Sequence, residues 1–153
     1  MRAAFFDLGD TLGTPVLSAP PVHLIGFDVF DFTAPVLDDL GGRGGLRLGV
    51  ISNTGTDAGA AVDAVLEQAG IRDFFEPALR IYSRDVGLRK DSPEIFLLAA
   101  SRAGVAPQEC LFVGEDRAER GFAADAGFVV AAHPREASAV IAAASDVDDC
   151  TGG

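Results

Sequence analysis

Five short apolar runs, each followed by a segment of helical character, constrain this chain more than any other feature. They are residues 2–6, 46–51, 78–82, 110–113 and 128–132. A short run with little polar alternation reads as a strand covered on both faces, and strands that alternate with helices pair in parallel. The intervening stretches carry helix punctuation. Thr33 is expected to cap a first helix, with Pro35 in its first turn and Gly41-Gly42 at its end. A second helix is expected over 57–69, stopped by Gly70, and a third from Ser92-Pro93-Glu94 to Ala103, stopped by Gly104. A fourth spans 117–126 before Gly127, and a last one 136–144. The pattern is that of an α/β domain with a parallel sheet.

At 153 residues and 48 % hydrophobic, with a mean hydropathy of +0.26, the chain can bury a full core as one domain, expected over 1–145. Residues 13–32, rich in Pro, Gly and Phe, read as a flap or hairpin, and 146–153 as a flexible acidic tail. Within the flap region, 25–32 alternates apolar and acidic residues. Its Phe side chains either pack on the domain's own core or form an exposed stripe for a partner. A net charge of −11 argues against a nucleic-acid partner, which needs a basic face. No stretch approaches the ~18 apolar residues of a membrane span, and the N-terminal apolar run is too short for a signal peptide. A cytoplasmic location with no membrane partner is expected. Cys110 and Cys150 fit no metal or redox spacing, and Cys110 reads as a small core residue.

Ligands of parallel sheets bind beyond the carboxyl ends of the strands. The polar residues expected there are Asp7, Ser52, and Glu115-Asp116 after Gly114, with Lys90 in the loop that opens the third helix. Each alone has an ordinary structural reading: a turn former, a hydroxyl in a Ser-Asn-Thr-Gly turn, a surface charge, an acidic pair at a helix start. Together they form a set suited to phosphoryl transfer. A carboxylate attacks phosphorus, a cation offsets the gathered negative charge, a hydroxyl holds phosphoryl oxygens, and acids hold a divalent ion. Lys90 is the only lysine, among 11 arginines. A compact point charge at this place is a different choice from a planar fork.

Four segments in order carry a resemblance. Ala4-Phe5-Phe6-Asp7-Leu8-Gly9-Asp10-Thr11-Leu12 resembles the Asp-x-Asp-x-Thr motif of the haloacid dehalogenase (HAD)-like hydrolase superfamily. Val50-Ile51-Ser52-Asn53-Thr54 resembles its second motif, and Gly87 to Phe96, with Lys90 and Pro93, its third. Leu111-Phe112-Val113-Gly114-Glu115-Asp116-Arg117-Ala118-Glu119 is similar to the fourth, Gly-Asp-x-x-x-Asp. The resemblance implies a three-layer, Rossmann-like α/β domain with a five-stranded parallel sheet and no cap domain, since neither inter-motif segment has room for one. It implies a Mg²⁺-dependent phosphatase acting on a phosphate monoester, small or on a macromolecule, through an aspartyl-phosphate at Asp7. Asp7, Ser52 and Lys90 would be catalytic, with Ser52, Asn53 and Lys90 on the phosphate. Asp7, the carbonyl of Gly9, and Glu115 with Asp116 or Glu119 would hold Mg²⁺.

The sequence departs from that pattern at three places. Gly9 stands where the family's phosphatases carry their acid/base Asp, and loss of such a group costs ~10²–10⁴-fold in rate. Asp10 is the neighbouring candidate to replace it. Glu115 is one methylene longer than the usual Asp, and Asp91 replaces a common Pro. A second expectation follows, a catalytically weak or inactive domain used for binding or regulation. A dehalogenase fits less well, because those relatives rely on a cap. A receiver domain also fits less well, because 78–82 ends without an acceptor Asp. With no cap, water must be kept from the site by a large substrate or by a second subunit, as in a homodimer.

Overall fold

The computed structural model describes the backbone of residues 1–151 and side chains through Ala144. Five strands form one parallel sheet: β1 (Ala3–Phe6), β4 (Arg47–Ser52), β5 (Arg80–Tyr82), β6 (Cys110–Val113) and β7 (Val129–Ala131). Their order is β5-β4-β1-β6-β7, so β1 is central and the connections leave it in both directions. Every side chain of β1 is buried, and successive ones enter opposite layers. Ala4 and Phe6 join a cluster with Leu37, Leu66 and Ile141, from α1 (Thr33–Gly41), α2 (Gly59–Gln68) and α6 (Pro134–Thr151). Ala3 and Phe5 join a second cluster with Ile95, Phe96 and Ala123, from α4 (Glu94–Ala103) and α5 (Arg117–Ala126). A short α3 (Ser83–Val86) follows β5. This three-layer arrangement is the expected one, with no cap domain inserted among the described residues.

Residues 13–32 form an antiparallel hairpin of β2 (Gly13–Leu17) and β3 (Leu24–Val29), separate from the main sheet. Its turn is closed by Ser18, whose hydroxyl donates to the Pro21 carbonyl at 3.0 Å and accepts the His23 N–H at 2.9 Å. Phe27 is buried in the core, while Phe30 and Phe32 stack on each other at 5.4 Å, and Phe32 on His133 at 4.5 Å. Core packing, one of the two expectations for these Phe side chains, is seen for Phe27, while Phe30 and Phe32 are half-buried outside the two core clusters.

Several boundaries differ from the sequence reading; the third strand, expected over 78–82, starts only at Arg80 because Pro77–Leu79 form a 3-10 turn. Thr33 does not cap α1. Its hydroxyl donates instead to the Leu12 carbonyl at 2.7 Å, tying the helix to the loop after β1. The second helix starts at Gly59 rather than Asp57, because the Asp57 carboxylate is engaged with the hairpin. Helix α6 continues to Thr151, through most of the expected acidic tail, and the rest of that tail lies outside the described residues. The stops at Gly104 and Gly127 are as expected, at φ 68° and 105°, values that favour glycine.

Candidate active site

Register brings the site together. Phe6 pairs with Val50 on one side and Val113 on the other, so the next residue, Asp7, sits level with Gly114 and one step below Ser52. The Asp7 N–H continues the ladder to the Val113 carbonyl at 2.9 Å. Gly114 is required beside it. A Cβ there would lie 2.8 Å from the Phe112 ring and 3.5 Å from the Asp7 Cβ.

The Asp7 side chain is buried and meets Lys90, whose Nζ lies 2.5 Å from Oδ1. The same ammonium lies 3.2 Å from Glu119 Oε1 and 5.8 Å over the Phe112 ring. Lys90 is 3 % exposed, so this is a desolvated cation between two carboxylates. Its backbone N–H donates to Asn53 Oδ1 at 2.9 Å, which fixes the loop that delivers it. Asn53 therefore places Lys90, in addition to standing at the cleft where the sequence reading had it bind phosphate. Ser52 is buried at the end of β4 and lines the cleft, and its hydroxyl has no hydrogen-bond partner among the described residues. Burial pushes the Glu119 carboxyl up, against the opposing pull of Lys90.

These groups open into a cleft of about 290 Å³. Asp7, Gly9, Ser52, Asn53, Lys90 and Glu119 line its inner part. The outer wall comes from the hairpin (Pro15, Leu17, Leu24, Phe27) and from Val62 of α2. Asp57 holds that wall in place. Its carboxylate accepts the Leu24 N–H at 2.9 Å and lies 2.8 Å from His23 Nδ1. Those contacts, the backbone one foremost, hold the Asp57 carboxyl below its usual range.

Three expected residues, Asp10, Glu115 and Asp116, stand outside the cleft lining. Asp10 is exposed, sits at φ 61°, and does not line the cleft. The Asp116 carboxylate accepts the Glu119 N–H at 3.0 Å as the N-cap of α5. Glu115 is exposed at the end of β6, where its N–H donates to Thr11 Oγ1 at 3.2 Å and ties the β6 loop to the β1 loop. Among the described residues no three His, Cys, Asp or Glu side chains gather as a metal cage. Mg²⁺ does not need one. It is held by one or two carboxylates with water and substrate oxygens, and Asp7 and the Gly9 carbonyl, both in the cleft lining, are oxygen donors of that kind, while the exposed Glu115 carboxylate stands outside the lining on the loop tied to theirs. Glu119, only an alternative in the sequence reading, is the acid that reaches Lys90. The hairpin wall and Asp57 were missed, because no local signal says which face of a hairpin meets a distant loop.

Residues 16–127 match the family model described as haloacid dehalogenase-like hydrolase; the match begins after the segment that carries Asp7. The chain is 39 % identical over 84 residues to a phosphoglycolate phosphatase of Salmonella paratyphi A, covering 54 % of this chain and 31 % of that protein. It is 37 % identical over 92 residues to a phosphoglycolate phosphatase of Escherichia coli K12, covering 60 % and 34 %. The chain thus spans about a third of the length of these relatives. Among solved structures, a HAD-superfamily hydrolase of subfamily IA from Geobacter sulfurreducens superposes with a TM-score of 0.69 at 18 % identity, over 92 % of this chain and 99 % of that one. An uncharacterised protein from Listeria monocytogenes serotype 4b gives 0.67 at 22 % identity, over 85 % and 76 %. At such identities these two likenesses show the fold. No helix among the described residues is long and apolar enough to cross a membrane.

Proposed function

This chain belongs to the haloacid dehalogenase-like hydrolase family, and from that membership we propose that it is a phosphatase that releases inorganic phosphate from a phosphate monoester through Asp7. The observation that carries the reading is the buried Lys90 ammonium, 2.5 Å from Asp7 Oδ1, at a strand-end cleft that also presents the unpartnered Ser52 hydroxyl. The phosphoglycolate phosphatases it resembles are named for this reaction type.

In the first step an Asp7 carboxylate oxygen forms a bond to phosphorus while the ester oxygen–phosphorus bond breaks, and the leaving oxygen takes a proton. In the second, water attacks phosphorus, the acyl-phosphate bond breaks, and Asp7 is restored with inorganic phosphate released. Lys90 supplies positive charge where the nucleophile and the phosphoryl oxygens crowd together. The Ser52 hydroxyl donates to a phosphoryl oxygen. Asn53 keeps Lys90 in place, and Glu119 limits the directions in which its ammonium can turn. Mg²⁺, with Asp7, the Gly9 carbonyl and Glu115 to hold it, would add charge neutralisation at the same phosphoryl oxygens.

The test is phosphate release from a small aryl phosphate, with and without Mg²⁺, beside Asp7→Asn. Metal-dependent turnover that falls by ~10³-fold or more in Asp7→Asn is expected. A second reading, a HAD-fold binding domain with little catalysis, is favoured by one observation: Gly9 carries no acid and Asp10 lies outside the cleft. A folded protein that turns over no phosphate ester would establish that reading instead.

A further inference from the structure

The cleft has one cation and an apolar wall. Among the described residues that line it, Lys90 alone is basic, and its ammonium is already shared between Asp7 and Glu119. Asp57 adds a third carboxylate, whose partners are His23 and the Leu24 N–H. A substrate bearing a second negative group beyond its phosphate would find no partner here and would face Glu119 and Asp57. An uncharged apolar group would instead lie on Leu17, Leu24, Phe27 and Val62 and leave water. At about 290 Å³ the cleft stands at the lower end of small-molecule sites, so the group is small.

The supply of protons narrows the class further. Gly9 has no side chain, Asp10 is outside the lining, the Glu119 carboxyl is held on Lys90 at 3.2 Å, and Asp57 is held by His23 and the Leu24 N–H. Apart from the nucleophile, each acid in the lining is already engaged by a partner, so none is free to protonate the oxygen that leaves. An alkoxide cannot depart unprotonated at a useful rate. A phenolate can, because a phenolic hydroxyl has a pKa of only ~10.

We propose that this cleft takes small aryl phosphates, monoesters of a neutral apolar phenolic hydroxyl, in preference to alkyl phosphates that carry a carboxylate. The proposal rests on the phosphatase reading above. Asp7 forms the bond to phosphorus as the aryl oxygen–phosphorus bond breaks. The electron pair leaves on the phenolate, which takes its proton from water, and a second water then frees the phosphate.

The experiment pairs binding with turnover, in Mg²⁺ buffer. Calorimetry compares phenylphosphonate with phosphonoacetate, and kcat/KM is measured for phenyl phosphate and phosphoglycolate. Both are repeated on Leu17→Arg, which sets a cation at a rim position that is 57 % exposed and so leaves the core alone. Phenylphosphonate is expected to bind about tenfold tighter or more, kcat/KM to favour the aryl ester, and Leu17→Arg to narrow both ratios by about tenfold. Equal or tighter binding of phosphonoacetate overturns the proposal. So does binding of neither phosphonate, a preference for phosphoglycolate in turnover, or ratios that Leu17→Arg leaves unmoved. Preferred binding of phenylphosphonate with no ester turned over would instead sink the phosphatase reading and leave the ligand preference standing.

Discussion

Lys90 carries more of this site than any other residue. Its Nζ is the one positive charge between Asp7 and Glu119, in a place with almost no solvent. Removing one partner of a buried ionic cluster leaves the others uncompensated. Lys90→Met is therefore expected to cost about 3 kcal/mol of stability as well as activity, where an exposed lysine would cost almost nothing. Urea denaturation of Lys90→Met beside Lys90→Met/Glu119→Gln measures it, and the double variant should recover part of the loss. Gly9 is the opposite case, a residue defined by what it lacks. A Cβ at Gly9 would lie 3.1 Å from Pro15 Cγ, so Gly9→Asp fits only if that ring yields slightly. With that accommodation, Gly9→Asp is expected to raise kcat/KM for ethyl phosphate by about 10²-fold, the lower end of general-acid effects. Steady-state kinetics on ethyl and phenyl phosphate, with the smaller gain on phenyl, checks it. The resemblance located both residues in the sequence. What it could not supply was the ring of Pro15, which lies against Gly9 only because the hairpin folds back.

At the scale of elements, the hairpin β2–β3 is the part of the molecule that turns a shared fold into a particular cleft. It stands off the main sheet, and Asp57 fastens its inner strand through the Leu24 N–H and His23. Asp57→Ala is expected to speed amide exchange at Leu24 by about tenfold, since one charge-assisted hydrogen bond is lost. KM should rise more than kcat falls, because the wall holds substrate and does no chemistry. Exchange read residue by residue, together with kinetics, decides this, and unchanged exchange at Leu24 would show that the hairpin is held by packing alone. Helix α2 shows the same dependence on distant partners. Its N-terminus has no cap of its own and is capped instead by Asp85, which accepts the Gly59 N–H at 2.9 Å. The sequence suggested Asp57 as a helix residue, and the helix began later because Asp57 was needed elsewhere.

Over the whole molecule, charge placement sets the response to acid. The Asp57 carboxyl is held below its usual range by the Leu24 N–H and His23, and the Glu76 carboxyl by the Arg47 guanidinium, which also donates to the Ala103 carbonyl at 2.7 Å. A depressed carboxyl contributes stability that is fully present above its unfolded value, near ~4, and is lost as pH falls through its folded value. Tm is therefore expected to drop as pH is lowered below about 4, and Asp57→Asn/Glu76→Gln should flatten that drop by about 2–4 °C, a small effect because Glu76 is well exposed. Glu119 works in the other sense. Its raised carboxyl contributes stability below its ordinary value that is lost as pH rises through the raised one. Scanning calorimetry across this pH range reads both. Glu119→Gln should steepen the relative acid loss if Glu119 acts as described.

The class of fold, and which candidate residues would reach one edge of the sheet, were legible in the sequence. Buried parallel strands require unbroken apolar runs, so 2–6, 46–51 and 110–113 announced β1, β4 and β6, and the strand ends then put Asp7, Ser52 and Gly114 on one edge. Glycine stops at Gly104 and Gly127 were equally legible, because a left-handed helix end has few other occupants. The tertiary structure alone decided which acid meets Lys90, which acid caps α5, and what faces the nucleophile across the cleft. Glu119, Asp116 and Asp10 are chemically interchangeable in a sequence. Helical phase, a backbone N–H and a left-handed φ separate them in space. Leu17, Leu24 and Phe27 are ordinary hairpin residues until the hairpin is laid against Asp57 and Val62, contacts more than thirty positions away for Leu24 and its Asp57 anchor. Local patterns encode which face is apolar, and only long-range packing encodes what that face will meet.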